Sequence, residues 1–236
     1  MLRLLILTVL LAVPARAETT LDARFDVSFA GVTGGQIAIR AEESGGTYVV
    51  VAQGRPTGVM GSLLNYQYDG TARGVVSGGT HAATSYEERE IDEGELTGAT
   101  MRFRGGQPTD VRFDPPREPE PWDIEPTAQS GVIDTLSALY LLVRPTEPTG
   151  ACSQRRDLFD GRHVSRLTLG APQAADDGTI RCAGEYQRLR GYSPEEMRKR
   201  PRVPMTVTYT PAGGGRVQVT EIRATSRLGD AVLRRR

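Results

Sequence analysis

The sequence predicts an all-β, mainly antiparallel fold: a single curled sheet or open β-barrel with one helix packed on or in it. Three observations carry this. Short segments alternate apolar and polar residues with a period of two. The 27 glycines and 15 prolines fall between those segments as turns instead of pooling in one tract. Only one segment, 134–144, carries apolar residues at clear helical spacing.

Residues 1–17, MLRLLILTVLLAVPARA, have the pattern of an export signal: a positive charge at Arg3, a ten-residue apolar stretch Leu4 to Val13, and small residues before a cleavage point after Ala17. As a helix that stretch covers about 15 Å, half a bilayer core, which favours cleavage over a retained anchor. No cysteine stands near the cleavage point to accept a lipid. The expectation is a periplasmic chain in which residues 18–236 form one β-rich domain without a transmembrane segment.

Phe25, Val27 and Phe29 alternate with Asp26 and Ser28, residues 31–35 turn the chain, and Ile37 and Ile39 resume the alternation, which predicts a β-hairpin. The run Thr47 to Ala52 is β-branched on both faces and predicts a strand with more burial on its second face. Further strands are expected near 64–73, 81–90, 97–104, 108–113, 154–160, 163–169 and 179–188. Residues 114–126 are too proline-rich for a central strand and read as an extended surface loop. Asp134 then caps the predicted helix, which runs to Arg144 and is stopped by Pro145. A closing hairpin pairs Val203, Met205, Val207 and Tyr209 with Val217 and Val219. The apolar phase then shifts to Ile222 and Ala224, which predicts a bulge near Glu221. Lys199, Arg200 and Arg202 read as a solvated loop, and Arg234 to Arg236 as a frayed tail. The total is about ten strands around one helix. With 6% aromatic residues and a single Trp, the chain lacks the aromatic girdles of an outer-membrane barrel.

Without the signal's Arg3 and Arg16 the chain holds 27 basic and 29 acidic residues, a balance that argues against a nucleic-acid partner. Cys152 and Cys182 flank a predicted hairpin and, in an oxidising compartment, are expected to form a structural disulfide; the close spacing of a redox pair is absent. His81 and His163 stand apart from the cysteines and from each other, so no metal site and no cofactor are expected. The best trio for nucleophilic catalysis is Ser137, Asp160 and His163, but no serine elbow positions it and each residue has an ordinary structural place. Glu87–Glu88 and Glu195–Glu196 read as a polar strand end and a helix start rather than a glycosidase pair. No catalytic residue is assigned, and the chain is not expected to be an enzyme.

Several segments together resemble a family of exported bacterial proteins catalogued as domain of unknown function 3108. They are Phe25 to Gly31, Gly58 to Leu64 ahead of Tyr68-Asp-Gly70, Asp134-Thr-Leu-Ser-Ala-Leu-Tyr140, Phe159-Asp-Gly-Arg162, Cys182, Gly191-Tyr192 and Arg227-Leu-Gly229. The one departure is local, a missing proline between Thr80 and Tyr86. The resemblance implies a periplasmic β-rich protein and leaves its activity open.

Two functions compete, with hydrolysis a distant third. A curled sheet with an apolar concave face would bind an apolar or amphiphilic envelope ligand such as a lipid. Met60, Leu63, Leu64, Leu136, Leu139 and Tyr140 are then candidates for wall or lid, with core filling as the alternative reading of each. The second function is an envelope assembly or scaffolding factor that meets a protein partner through the loop 114–126, Trp122 and a sheet edge.

Overall fold

The structure, a computed structural model, describes residues 19–58, 61, 65–226 and 228–236. The export signal, Met60, Leu63 and Leu64 lie outside the described residues. The strands are β1 (Thr19–Phe29), β2 (Val32–Ser44), β3 (Thr47–Pro56), β4 (Tyr66–Ser77), β5 (Thr80–Asp92), β6 (Glu95–Arg104) and β7 (Gln107–Asp114). They are followed by β8 (Val132–Asp134), helix α1 (Thr135–Val143), β9 (Arg155–Phe159), β10 (Val164–Ala174), β11 (Ile180–Arg190), helix α2 (Pro194–Lys199), β12 (Arg202–Gly213), β13 (Arg216–Ala224) and β14 (Ala231–Arg235).

All fourteen strands join one sheet in the order β7-β6-β5-β4-β3-β2-β1-β14-β13-β12-β11-β10-β9-β8. Every pairing is antiparallel except β8 with β9. The sheet curls until it is nearly closed into a barrel. At the gap between β7 and β8 the Val132 amide donates to the Gly106 carbonyl at 3.0 Å. The chain is all-β, as the alternation predicts.

Burial follows that alternation. Leu21, Ala23 and Phe25 of β1, Ile39 and Ala41 of β2, and Tyr48, Val50 and Ala52 of β3 are buried, and all belong to one core. The outer face meets solvent. Val51 is accordingly exposed, against the expectation that the second face of Thr47 to Ala52 would be buried too, because no second layer covers a sheet wrapped around its own core.

Helix α1 fills the curl. Seven of its nine residues are buried, and it touches β3, β4, β8, β9 and β13, strands from both halves of the sheet. Asp134 caps it as predicted, its side chain accepting from the Ser137 amide at 2.7 Å. Gly74 makes room beside it, since a methyl group there would overlap the Tyr48 ring and the Ala82 carbonyl.

The predicted bulge is present: Thr208 pairs Glu221 while Tyr209 pairs Val219, leaving Thr220 as the extra residue. Arg234 to Arg236 are not a frayed tail. They end or follow β14, which lies between β1 and β13 and joins the two halves of the sheet. Two of the three charges are paired, and the third lies against a ring. Arg234 pairs with Glu221, Arg235 stands over the Phe25 ring at 5.8 Å, and Arg236 pairs with Asp26.

The sulfurs of Cys152 and Cys182 stand at bonding distance, with Cα atoms 5.3 Å apart. A bond closing a 30-residue loop of this kind stabilises by roughly 3–4 kcal/mol.

Candidate functional site

The barrel interior carries a cluster of polar side chains at one end and an apolar cavity at the other. At the β2–β3 turn end, Glu43 points inward, and its Oε2 accepts from His81 Nε2 at 2.8 Å, the Tyr140 hydroxyl at 2.9 Å and Arg144 Nη1 at 3.4 Å. Burial raises the Glu43 carboxyl, but the hydrogen bonds from His81 and Tyr140, with the nearby charges, hold it below its ordinary value. Tyr48 stacks on Tyr140 with centroids 5.9 Å apart, and its hydroxyl donates to Ser137 Oγ at 2.8 Å. These contacts tie helix α1 to β2, β3 and β5.

Asp134 is fully buried, and its Oδ2 has no hydrogen-bond partner. Burial pushes its carboxyl up to about 6, against the hydrogen bonds from Ser137. Between about pH 4 and pH 6 the folded chain keeps a proton that the unfolded chain releases, so stability falls as pH rises through that window. Asn caps as well as Asp does. The Asp134→Asn chain should therefore be more stable than wild type by about 1–2 kcal/mol at pH 8 and no more stable at pH 4, measured by urea unfolding at both pH values.

At the opposite end, around the β1–β2 turn, lies a cavity of about 370 Å³. The β1–β2 register slips after Val27, leaving Gly34 as a bulge whose carbonyl accepts from the Thr57 amide at 3.1 Å. The wall is mainly Val27, Ile37, Pro56, Tyr66 and Tyr68, with Gly35 and Gly54 keeping the space open. Gln36 and Arg55 stand at the polar margin, and Arg55 is already bound to both oxygens of Asp69.

Tyr68 links this cavity to a half-buried carboxyl. Its hydroxyl lies 3.1 Å from that of Tyr86, which in turn donates to Glu88 Oε2. Burial pushes the Glu88 carboxyl above its ordinary value, and the charges of Glu90 and Asp160 add to the shift against the Tyr86 hydrogen bond. Glu88 is thus an inward-facing, half-buried group and not part of a solvated strand end. Its register partner Gly70 faces inward beneath the Tyr68 ring, which explains the position. The Glu195–Glu196 reading holds, because Glu196 and Ser193 form a capping box at the start of α2.

Of the six candidate wall or lid residues, Leu136 and Tyr140 are buried in the core and Leu139 is partly buried against it. Met60, Leu63 and Leu64 fall in the connection after the cavity residue Pro56 and lie outside the described residues. The catalytic trio is not assembled by hydrogen bonds. Ser137 is engaged by Tyr48, whereas His163 Nδ1 binds Asp160 Oδ2 at 2.8 Å in the β9–β10 turn, with its ring stacked on Tyr192. Among the described residues no three His, Cys, Asp or Glu side chains are grouped as metal ligands. No described helix is long and apolar enough to cross a membrane. The loop 114–126 leads into a 3-10 turn, Pro126–Ala128, that packs along β7, and Gln107 donates to the Thr127 carbonyl.

Sequence reasoning missed Val27, Ile37, Tyr66 and Tyr68 as one surface. The available signal was Tyr66-x-Tyr68-x-Gly70, two large rings on the same strand face as a glycine that cannot fill the space beside them.

No curated protein and no solved structure matches the chain. The profile of one family does, over residues 24–187, from within β1 to within β11. The chain, with its curled sheet around helix α1, belongs to the family described as Protein of unknown function (DUF3108).

Proposed function

We propose that this chain is an exported, periplasmic binding protein, without catalytic chemistry of its own, that holds the apolar part of an amphiphilic envelope ligand. The observation that carries this reading is the cavity of about 370 Å³ walled by Val27, Ile37, Pro56, Tyr66 and Tyr68. Its volume and lining are those of a small-molecule site, with aliphatic and aromatic walls and a few polar groups at one side. Export is supported by the sequence of residues 1–17 and by the paired cysteines.

The test is uptake of a fluorescent fatty acid by the protein after delipidation, together with native mass spectrometry of material taken from its own periplasm. Wild type should bind one probe per chain. Val27→Trp, which fills the cavity, should weaken uptake at least tenfold while leaving the thermal transition within a few degrees. A clean apo mass with no uptake would sink the reading.

A second reading, an envelope assembly factor acting by protein contact, is favoured by a different observation. Phe29, Val32 and Leu228 are 50%, 64% and 82% exposed at the adjacent β1–β2 and β13–β14 turns. The Ala30 amide joins those turns by donating to the Asp230 carbonyl at 2.9 Å. With the apo result above, pull-down through this surface becomes the next experiment.

A further inference from the structure

The polar end of the barrel holds a cation with no counter-ion. Arg156 pairs with Leu167 across β9 and β10, and Leu167 is buried, so the register turns Arg156 inward. Its Nε is buried without a hydrogen-bond partner, and no carboxylate of the described residues forms an ion pair with it. Two acids at this end, Asp157 and Glu43, are already engaged. Asp157 gives both oxygens to Arg166, at 2.6 and 2.8 Å, and Glu43 Oε2 accepts from His81, Tyr140 and Arg144. The charged neighbour that acts on Arg156 is Arg144, of the same sign. Together with burial it depresses the Arg156 guanidinium, which is the signature of a charge lacking compensation.

Arg156 does not face a filled interior. It lines a cavity of about 460 Å³ that opens at the gap in the barrel, between the β4–β5 and β6–β7 turns and the strands β8 and β9. His81, Arg155 and Arg166 share the lining, Asp157 is its one carboxylate, and Gly105, Gly106 and Gly131 bring backbone to its rim. Neutralising Arg166 with Asp157 leaves Arg155 and Arg156 as uncompensated positive charge around an open volume. An arginine Nε–H shut off from water without a partner is costly, and an oxyanion that meets it and a neighbouring guanidinium N–H in two parallel hydrogen bonds removes that cost.

We propose that this cavity is an oxyanion site, in which Arg156, supported by Arg155, binds a phosphate group. It stands independently of the apolar cavity at the opposite end of the barrel. The group could arrive as free phosphate or on a lipid headgroup, and the experiment separates the two.

The experiment is isothermal titration of the folded, disulfide-bonded chain with inorganic phosphate and, separately, with dihexanoyl phosphatidic acid below its micelle concentration. Ionic strength is held constant with sodium chloride. The same titrations are followed by the arginine Nε–H resonance of Arg156. Saturable binding of inorganic phosphate with a shift of that resonance identifies a free-anion site, and binding of the phosphatidate alone identifies a headgroup site. Either outcome supports the proposal if Arg156→Gln, folded by circular dichroism, binds at least tenfold more weakly. If neither probe moves the Arg156 resonance, or the variant binds as tightly as wild type, the proposal is overturned. Because the resonance is read on the wild-type chain, it decides the matter even if the variant fails to fold.

Discussion

A chain ending at Asp230 should show no cooperative unfolding transition. Strand β14 is five residues long, yet it is paired on both sides, with β1 from Phe25 to Phe29 and with β13 from Glu221 to Ala224. Its removal leaves the two halves of the sheet unjoined along those strands. It also uncovers the core around Phe25 and Ile222, against which Leu233 is packed. Two ladders of backbone hydrogen bonds and that apolar contact are lost together, and a domain of this kind has only about 5–15 kcal/mol of net stability in total. The comparison is Arg236→Ala, which removes one half-exposed ion pair with Asp26 and should cost no more than about 1 kcal/mol. Far-UV circular dichroism melts of the two chains separate a missing strand from a missing charge. A normal cooperative melt for the shortened chain would mean that β1 and β13 pair without β14.

Tyr140→Ala should be the most damaging single substitution in helix α1, at about 3–5 kcal/mol. Tyr140 is 0% exposed, stacks on Tyr48 and donates to Glu43, so the substitution opens a large cavity and removes one of the donors that keep a buried carboxylate satisfied. Tyr140→Phe isolates the second effect. With His81 and Arg144 still on Glu43, it should cost about 1 kcal/mol. Urea unfolding checks both, and the midpoint should move at constant slope. Unchanged stability with altered uptake of a fatty-acid probe would instead assign Tyr140 to the ligand surface.

Much of the architecture is written locally and is readable for that reason. Alternation at Phe25, Val27 and Phe29 marks β1, Asp134 marks the start of α1 because N-cap chemistry is confined to one turn, and the phase slip past Glu221 marks the bulge. What escaped reading depends on partners far away in the chain. Ala231 to Arg235 hold only a short apolar run among arginines, and nothing local says that Glu221, Asp26 and the Phe25 ring wait to receive those charges. Inward-facing Glu43, His81, Glu88 and Arg156 break the apolar pattern that assigns strand faces, so the interior polar groups looked like surface. The apolar cavity is a further step removed, because an empty volume is defined by what the strands around it fail to fill.

The place of β14 also fixes an order in time. A ribosome or a translocating pore delivers β1 first and β14 last, and the Arg236 side chain meets Asp26 across 210 positions of sequence. Until then β1 has β2 on one side and nothing on the other, while β13 has only β12. Hairpins on either side can form early because their contacts are local. Their union must wait for the whole chain and must bear the entropy of closing a very long loop, roughly 5 kcal/mol for two hundred residues. Closure is therefore the late and slow event, and a chain caught before it presents two unpaired strand edges to any neighbour of the same sequence.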